Sequence, residues 1–175
     1  LTKTPVLAVP NGPYLTQASP EALMRFEQHL LRLEKAGYTI KRVAALQDIQ
    51  AIHMKHRHIT SAEMAQIHAS WFAAYESLYR PRTAEKIRAG RSVSTEQIVQ
   101  ARAERDTLRA ELETFMRQEG IDLWVCPAAI GPAPEGITRT GDTAMNVPWS
   151  YMGMPVLSLP AGRAMKRSLV RKPDV

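Results

Sequence analysis

The chain has 175 residues, 45% of them hydrophobic and 23% charged, which fits a single soluble globular domain with room for a real core. No apolar run approaches the roughly 18–20 residues that a membrane span needs. Of the formal net charge of +6, residues 163–175 carry +4 (five basic residues against Asp174), and the rest of the chain has no RNA-binding signature, zinc-finger spacing or aromatic–basic interleaving, so specific nucleic-acid recognition is not expected.

Leu1-Thr2-Lys3-Thr4-Pro5 has neither an initiator Met nor a signal-peptide pattern, the start expected of a chain cut from a longer one. Pro5 to Pro10 is a short apolar run closed by Asn11-Gly12-Pro13, a buried strand and its turn. Ser19-Pro20-Glu21 supplies an N-cap, a Pro at the first helical position and an acid in the first turn. Leu23, Phe26, Leu30, Leu33 and Ala36, with Leu31, follow at helical spacing until Gly37, and Tyr38 to Val43 reads as the next strand. Strand, helix and strand within 45 residues predict a βαβ unit with parallel neighbours. Its first turn lacks a Gly-x-Gly-x-x-Gly cradle, which argues against a nucleotide site.

Residues 45–78 are helical in pattern, with a break expected near His58-Ile59-Thr60-Ser61 and Thr60 or Ser61 as a new cap. Arg80-Pro81-Arg82 predicts a turn, and a short helix is expected over Thr83–Ala89, before Gly90. Ser94 and Gln97 stand at capping-box spacing at the head of a long helix that Gly120 stops, with Ile98, Ala101, Leu108, Leu112, Phe115 and Met116 as its apolar face. Glu96, Arg102, Glu104, Arg105, Arg109 and Glu111 read as a solvated charged face. Leu123-Trp124-Val125 is a strand, and the Pro/Gly-rich stretch from Pro127 to Gly141 is a loop.

Two clusters invite a chemical reading. His53-x-x-His56-x-His58, with Glu63 and His68, has a two-ligand spacing on a helix but lacks His-Glu-x-x-His, and Lys55 and Arg57 interleave; solvated helix histidines and a buried, hydrogen-bonded His68 fit better than a metal site. Cys126, the single cysteine, excludes an internal disulfide and fits a reducing, cytoplasmic compartment. At a strand exit before Pro127 it suits a small buried hydrophobe better than a nucleophile.

The densest signal is Thr140-Gly141-Asp142-Thr143-Ala144-Met145-Asn146-Val147-Pro148-Trp149, followed by a Gly153-Met154-Pro155 turn and an apolar run ending Pro160-Ala161-Gly162, expected to be a buried strand. With Asp122 to Pro127, with Glu63 to His68 followed by Trp71 and Tyr75, and with Arg82, Ile87 and Gly90 in series, it resembles the C-terminal part of the amidase signature family. The resemblance covers roughly residues 4–162. It implies an α/β fold with helices packed on a mixed sheet, and an intact enzyme that hydrolyses a carboxylic amide through an acyl-serine intermediate without a cofactor. In that family a Gly/Ser-rich segment supplies the nucleophile, a second Ser and the oxyanion donors, and an earlier Lys accepts the proton. This sequence has no Ser between paired glycines, so no catalytic residue carries over and the isolated chain is expected to be inactive.

What the resemblance does carry over is a substrate-binding loop: Thr140, Gly141, Asp142, Thr143, Asn146, Val147 and Trp149. Bottom-up, Asn and Thr orient an amide or carboxylate and Val and Trp offer apolar walls; the bland alternative is a surface loop whose Thr-Gly and Asn-x-Pro units only make turns. Expected partners are a small-molecule amide, the missing N-terminal catalytic portion and a possible second copy. After Gly162 the sequence departs from the family and is basic, so 163–175 is expected to be a disordered tail beyond a truncation or frame shift, leaving 1–162 as the amidase part. The rival from a different class is a helical interaction or assembly module with amidase-like architecture and no catalysis. An amidotransferase parent acting on charged tRNA also stays open.

Overall fold

An apolar run without charge can be covered on both faces, and that decides the centre of the sheet. The computed structural model describes residues 3–138 and 140–161. Strand β1 (Val6–Asn11) is buried from Leu7 to Pro10 and lies between two parallel neighbours, in the order β2-β1-β3. It pairs with β2 (Thr39–Ala44) from Val6↔Thr39 to Asn11↔Ala44, and with β3 (Leu123–Trp124) at Leu7↔Leu123 and Ala8↔Trp124. Asp122 locks the second pairing, its Oδ2 accepting from Val6 N at 2.7 Å while its own N–H donates to Val6 O at 2.9 Å. The α/β expectation holds; of the mixed sheet, the described strands form a parallel portion.

Helix α1 (Pro20–Lys35) makes the expected crossover. Ser19 Oγ accepts from Ala22 N at 3.2 Å, and Phe26 and Leu30 are buried, whereas Leu31 falls off the apolar face into solvent. Helix α2 (Ile49–Ile67) starts at an Asp48 cap and runs through the break expected near residue 60. Thr60 Oγ1 points back to Arg57 O (3.5 Å) instead of capping, and Ile59, Ser61 and Ala65 are buried. What holds this part of α2 helical is α4 (Pro81–Arg91), which begins two residues before the expected Thr83. Gly90 sits so close that a Cβ there would lie 1.9 Å from Ser61 O, so any side chain forces the two helices apart.

Between them, α3 (Ala69–Tyr75) and a 3₁₀ turn (Glu76–Leu78) close a small second core of Ala65, Phe72, Ala84 and Ile87. Arg91 lies over the Phe72 ring at 5.0 Å. Helix α5 (Thr95–Glu119) has the predicted capping box, and Gly120 ends it at φ 60°. Its predicted apolar face, Ile98, Ala101, Leu108, Leu112, Phe115 and Met116, is buried or half-buried, while exposed pairs such as Arg102–Glu63 (2.9 Å) occupy the polar face and contribute little to stability.

Helix α6 (Val147–Met152) buries every residue except Ser150, and left-handed Gly153 turns the chain out of it. Here a sequence expectation is corrected. The run after Pro155 is neither strand nor buried: residues 155–161 have no regular structure and all are exposed, Leu157 by 81%. Among the described residues no element lies beside this run to take its hydrogen bonds. Gly162 and the tail expected over 163–175 lie outside the described residues. No helix among the described residues is long and apolar enough to cross a membrane.

Candidate functional site

The predicted substrate loop stands at the carboxyl ends of β1 and β3, and two hydrogen bonds put it there. Tyr14, three residues beyond β1, is fully buried and its Oη donates to Met145 O at 2.8 Å. Asn146 Nδ2 donates to Ala128 O at 3.2 Å, just past β3. In open parallel sheets the crevice outside the carboxyl ends of the strands is where ligands bind, because loops there are free of the ladder. The loop is therefore where an α/β site belongs.

Within it the seven predicted residues separate into two groups. Thr140, Gly141, Asp142, Thr143 and Asn146 are exposed. Gly141 adopts φ 101°, which a side chain would strain. Asp142 Oδ1 accepts from Ala144 N at 2.8 Å, and Thr143 O accepts from the N–H groups of Asn146 and Val147, so the loop is wound by its own polar groups. Asn146 Oδ1 has no partner among the described residues. Val147 and Trp149, by contrast, are buried, and Trp149 belongs to the main core. Trp149 Nε1 donates to Tyr14 Oη at 3.0 Å and its ring meets the Tyr14 ring edge-on at 5.8 Å. They anchor the loop from below and are not walls open to a ligand.

Two further groups, Tyr14 and Cys126, border the site. Tyr14 was not singled out from sequence; its partners are 131 and 135 residues away, and no local pattern signals a contact of that span. Burial drives its hydroxyl far above the ordinary tyrosine value, so it stays a neutral donor. Burial also raises the Cys126 thiol, against hydrogen bonds from Tyr14 and Trp149 that lower it. A thiol held protonated is a poor nucleophile, as the sequence reading expected.

The histidines divide in the same way. His53 on α2 is held below the ordinary 6.5 by burial, opposed by the Asp142 carboxylate and reinforced by Arg57. Its Nε2 is buried without a partner among the described residues. His56 is lowered by burial and then by Lys86 and His53, and its ring packs edge-on against Tyr151 at 6.4 Å. Burial pushes Tyr151 up to about 12, and its Oη donates to Ala101 O. His68 is half-buried and not fully enclosed, with Nδ1 2.9 Å from Tyr79 Oη. Among the described residues no group of three or more His, Cys, Asp or Glu could hold a metal ion.

Two surface clefts lie elsewhere. One of about 740 Å³ runs between the Glu76–Tyr79 turn and Arg88 of α4, and one of about 680 Å³ runs between Ala44–Leu46 and α5. Neither is lined by residues 140–149. The polar residues of the loop, Thr140 to Thr143 and Asn146, are exposed in this chain.

No protein-family model and no curated protein matches the chain. A solved crystal structure of an amidase does: it superposes with a TM-score of 0.75 at 22% sequence identity, over 91% of this chain. The match covers 40% of that amidase, so the chain spans well under half its length. The fold is thus amidase-like.

Proposed function

We propose that this chain is the substrate-side part of an amide hydrolase of the amidase signature kind. The reading rests on the amidase-like fold, which takes in 91% of the chain. The loop at the sheet's carboxyl edge fits that role. Asn146 Oδ1 is available to accept from an amide N–H, and the Thr140 and Thr143 hydroxyls are exposed beside it. Gly141 and Asp142 shape the backbone, and Trp149 fixes the loop to the core.

The nucleophile comes from the part of an amidase-length chain that this one does not span. There a Ser Oγ bonds to the amide carbonyl carbon, its proton passes through a Lys to the leaving nitrogen, and the C–N bond breaks. Water then releases the acid from the acyl-serine. No cofactor enters those steps, and the compartment is cytoplasmic.

The test is turnover of a simple aryl amide such as p-nitroacetanilide, together with serine labelling by a fluorophosphonate. The chain alone is expected to give neither. Saturable hydrolysis with one labelled serine in this chain would overturn the division of labour.

A second reading, a non-catalytic assembly module, is favoured by one observation. Ile67, Trp71, Tyr75 and Leu78 are all exposed and recur every three or four residues at the end of α2 and through α3. Uncovered stripes of that kind mark binding surfaces. Light scattering across a hundredfold range of concentration separates the readings, because a purposeful oligomer reaches a fixed mass that Trp71→Lys abolishes.

A further inference from the structure

Residues 155–160, Pro-Val-Leu-Ser-Leu-Pro, have the make-up of a strand but none of its contacts. Val156 is 57% exposed, Leu157 81% and Leu159 72%. None of the backbone groups from Pro155 to Ala161 has a hydrogen-bond partner among the described residues. A run of β-forming apolar residues without charge is what a strand covered on both faces requires. In water the same run is an adhesive edge, which native proteins blunt with charges or bulges. This one has no charge, and its prolines stand only at the two ends, outside Val156 to Leu159.

Nor is the run loosely attached. It leaves α6 through Gly153 at φ 65°; Met154 N donates to Trp149 O at 3.0 Å, and the Met154 side chain packs on the main core. The apolar run therefore starts from a fixed post. The sheet also ends short: β3 pairs over only two residues, and its Leu123 is exposed.

We infer that residues 155–160 are a docking strand, and that its occupant is the portion of an amidase-length chain outside the matched 40%. That portion covers Leu157 and Leu159 and takes up the free backbone groups of Val156 to Leu159 as a strand of its own sheet. The occupant is specified by length: the amidase fold this chain shares carries more than half its residues beyond the match. The inference rests on the proposed function and adds the surface through which the two parts meet.

The experiment co-expresses this chain with the portion of the solved amidase that lies outside the match. A one-to-one complex is expected, with amide exchange at Val156, Leu157, Ser158 and Leu159 slowed about 100-fold or more relative to the chain alone. Leu157→Lys with Leu159→Lys is expected to lower recovery of the complex at least about tenfold, because two charges would then need burial. Val99→Lys, at an exposed apolar site on α5, leaves it unchanged.

Three results overturn the docking strand: no complex, a complex in which those four amides exchange as fast as in the lone chain, or a dimer of the chain alone that the double Lys variant dissociates. Fluorophosphonate labelling keeps the two claims apart. A complex with slowed exchange but no labelled serine sinks the amidase function and leaves the surface standing. A labelled complex with fast exchange sinks the surface and leaves the function.

Discussion

Val6-Leu7-Ala8-Val9-Pro10 and Pro155-Val156-Leu157-Ser158-Leu159-Pro160 are nearly the same kind of sequence, short apolar runs bounded by prolines, and they meet opposite fates. The first is the buried centre of a parallel sheet with a strand on each side. The second stands in solvent with no strand beside it among the described residues. β-Propensity expresses fit to a pleated, covered surface more than a backbone preference, and the pair displays the difference. β1 is a strand because α1 brings β2 back alongside it and Asp122 secures β3; the later run has no such neighbours here.

The largest effect should come from hollowing out the covered run. Leu7 is 4% exposed and pairs with Ile40 on one side and Leu123 on the other. Leu7→Ala is expected to cost about 3 kcal/mol of unfolding free energy, the lost burial plus the cavity left behind. Urea unfolding followed by circular dichroism measures it, and a loss under about 1 kcal/mol would mean that β1 is not the organising strand.

Next comes the bond that ties the neighbourhood of the first run to the post from which the second departs. Tyr14→Phe keeps the ring against Trp149 but leaves Met145 O without its donor and Trp149 Nε1 without its acceptor. Two buried groups losing one shared partner should cost about 2 kcal/mol. Tryptophan fluorescence during urea unfolding reports on the change, since Trp149 lies at the contact. A neutral result would mean that α6 is held by packing and by the Tyr151–Ala101 bond without help from Tyr14, and would weaken the fixed origin of the docking strand.

The comparison also marks what was legible in the sequence. Elements whose determinants are local were read well: the Ser19-Pro20 start of α1, the Ser94–Gln97 box and the Gly120 stop depend on residues within a turn or two of one another, and the parallel βαβ unit follows from the order of three such elements. The false break near Thr60 arose because cap-forming residues are tolerated within a helix once a neighbour covers them, and Gly90, which packs on Ser61, is 29 residues beyond it in the chain. The buried strand expected at 155–160 failed for a matching reason, because composition shows that a run wants cover and not whether cover is there. In the site loop, the turn chemistry of Gly141 and Asp142 was readable. That Trp149 faces the core through Tyr14, and that Val147 is buried, was not, since such contacts exist only in the folded chain.

A smaller effect concerns acid. His53 and His56, beside the loop and α6, are both held below 6.5, for each chiefly by burial. The folded chain therefore binds fewer protons than the unfolded chain in this range. Stability is full above about pH 6.5 and falls as the pH drops through the lowered folded values. Melting temperatures taken from about pH 8 down to about pH 5 should decline, and His53→Gln with His56→Gln should flatten that decline. If the double variant keeps the full slope, carboxylates govern it and the two histidines are less enclosed than their packing indicates.

The smallest expected effect is the most informative for the pair of runs. Leu157→Ala deletes the same atoms as Leu7→Ala from a nearly identical sequence, yet in the chain alone it should shift stability by less than about 0.5 kcal/mol, because the side chain is already in water. Beside the remainder of an amidase the same change should become costly, as a half-filled site in a covered strand. The contrast between the two conditions isolates what cover contributes to one leucine. A loss of 2 kcal/mol or more in the chain alone would break the comparison, since Leu157 would then be packed against this chain's own core and unavailable to a partner.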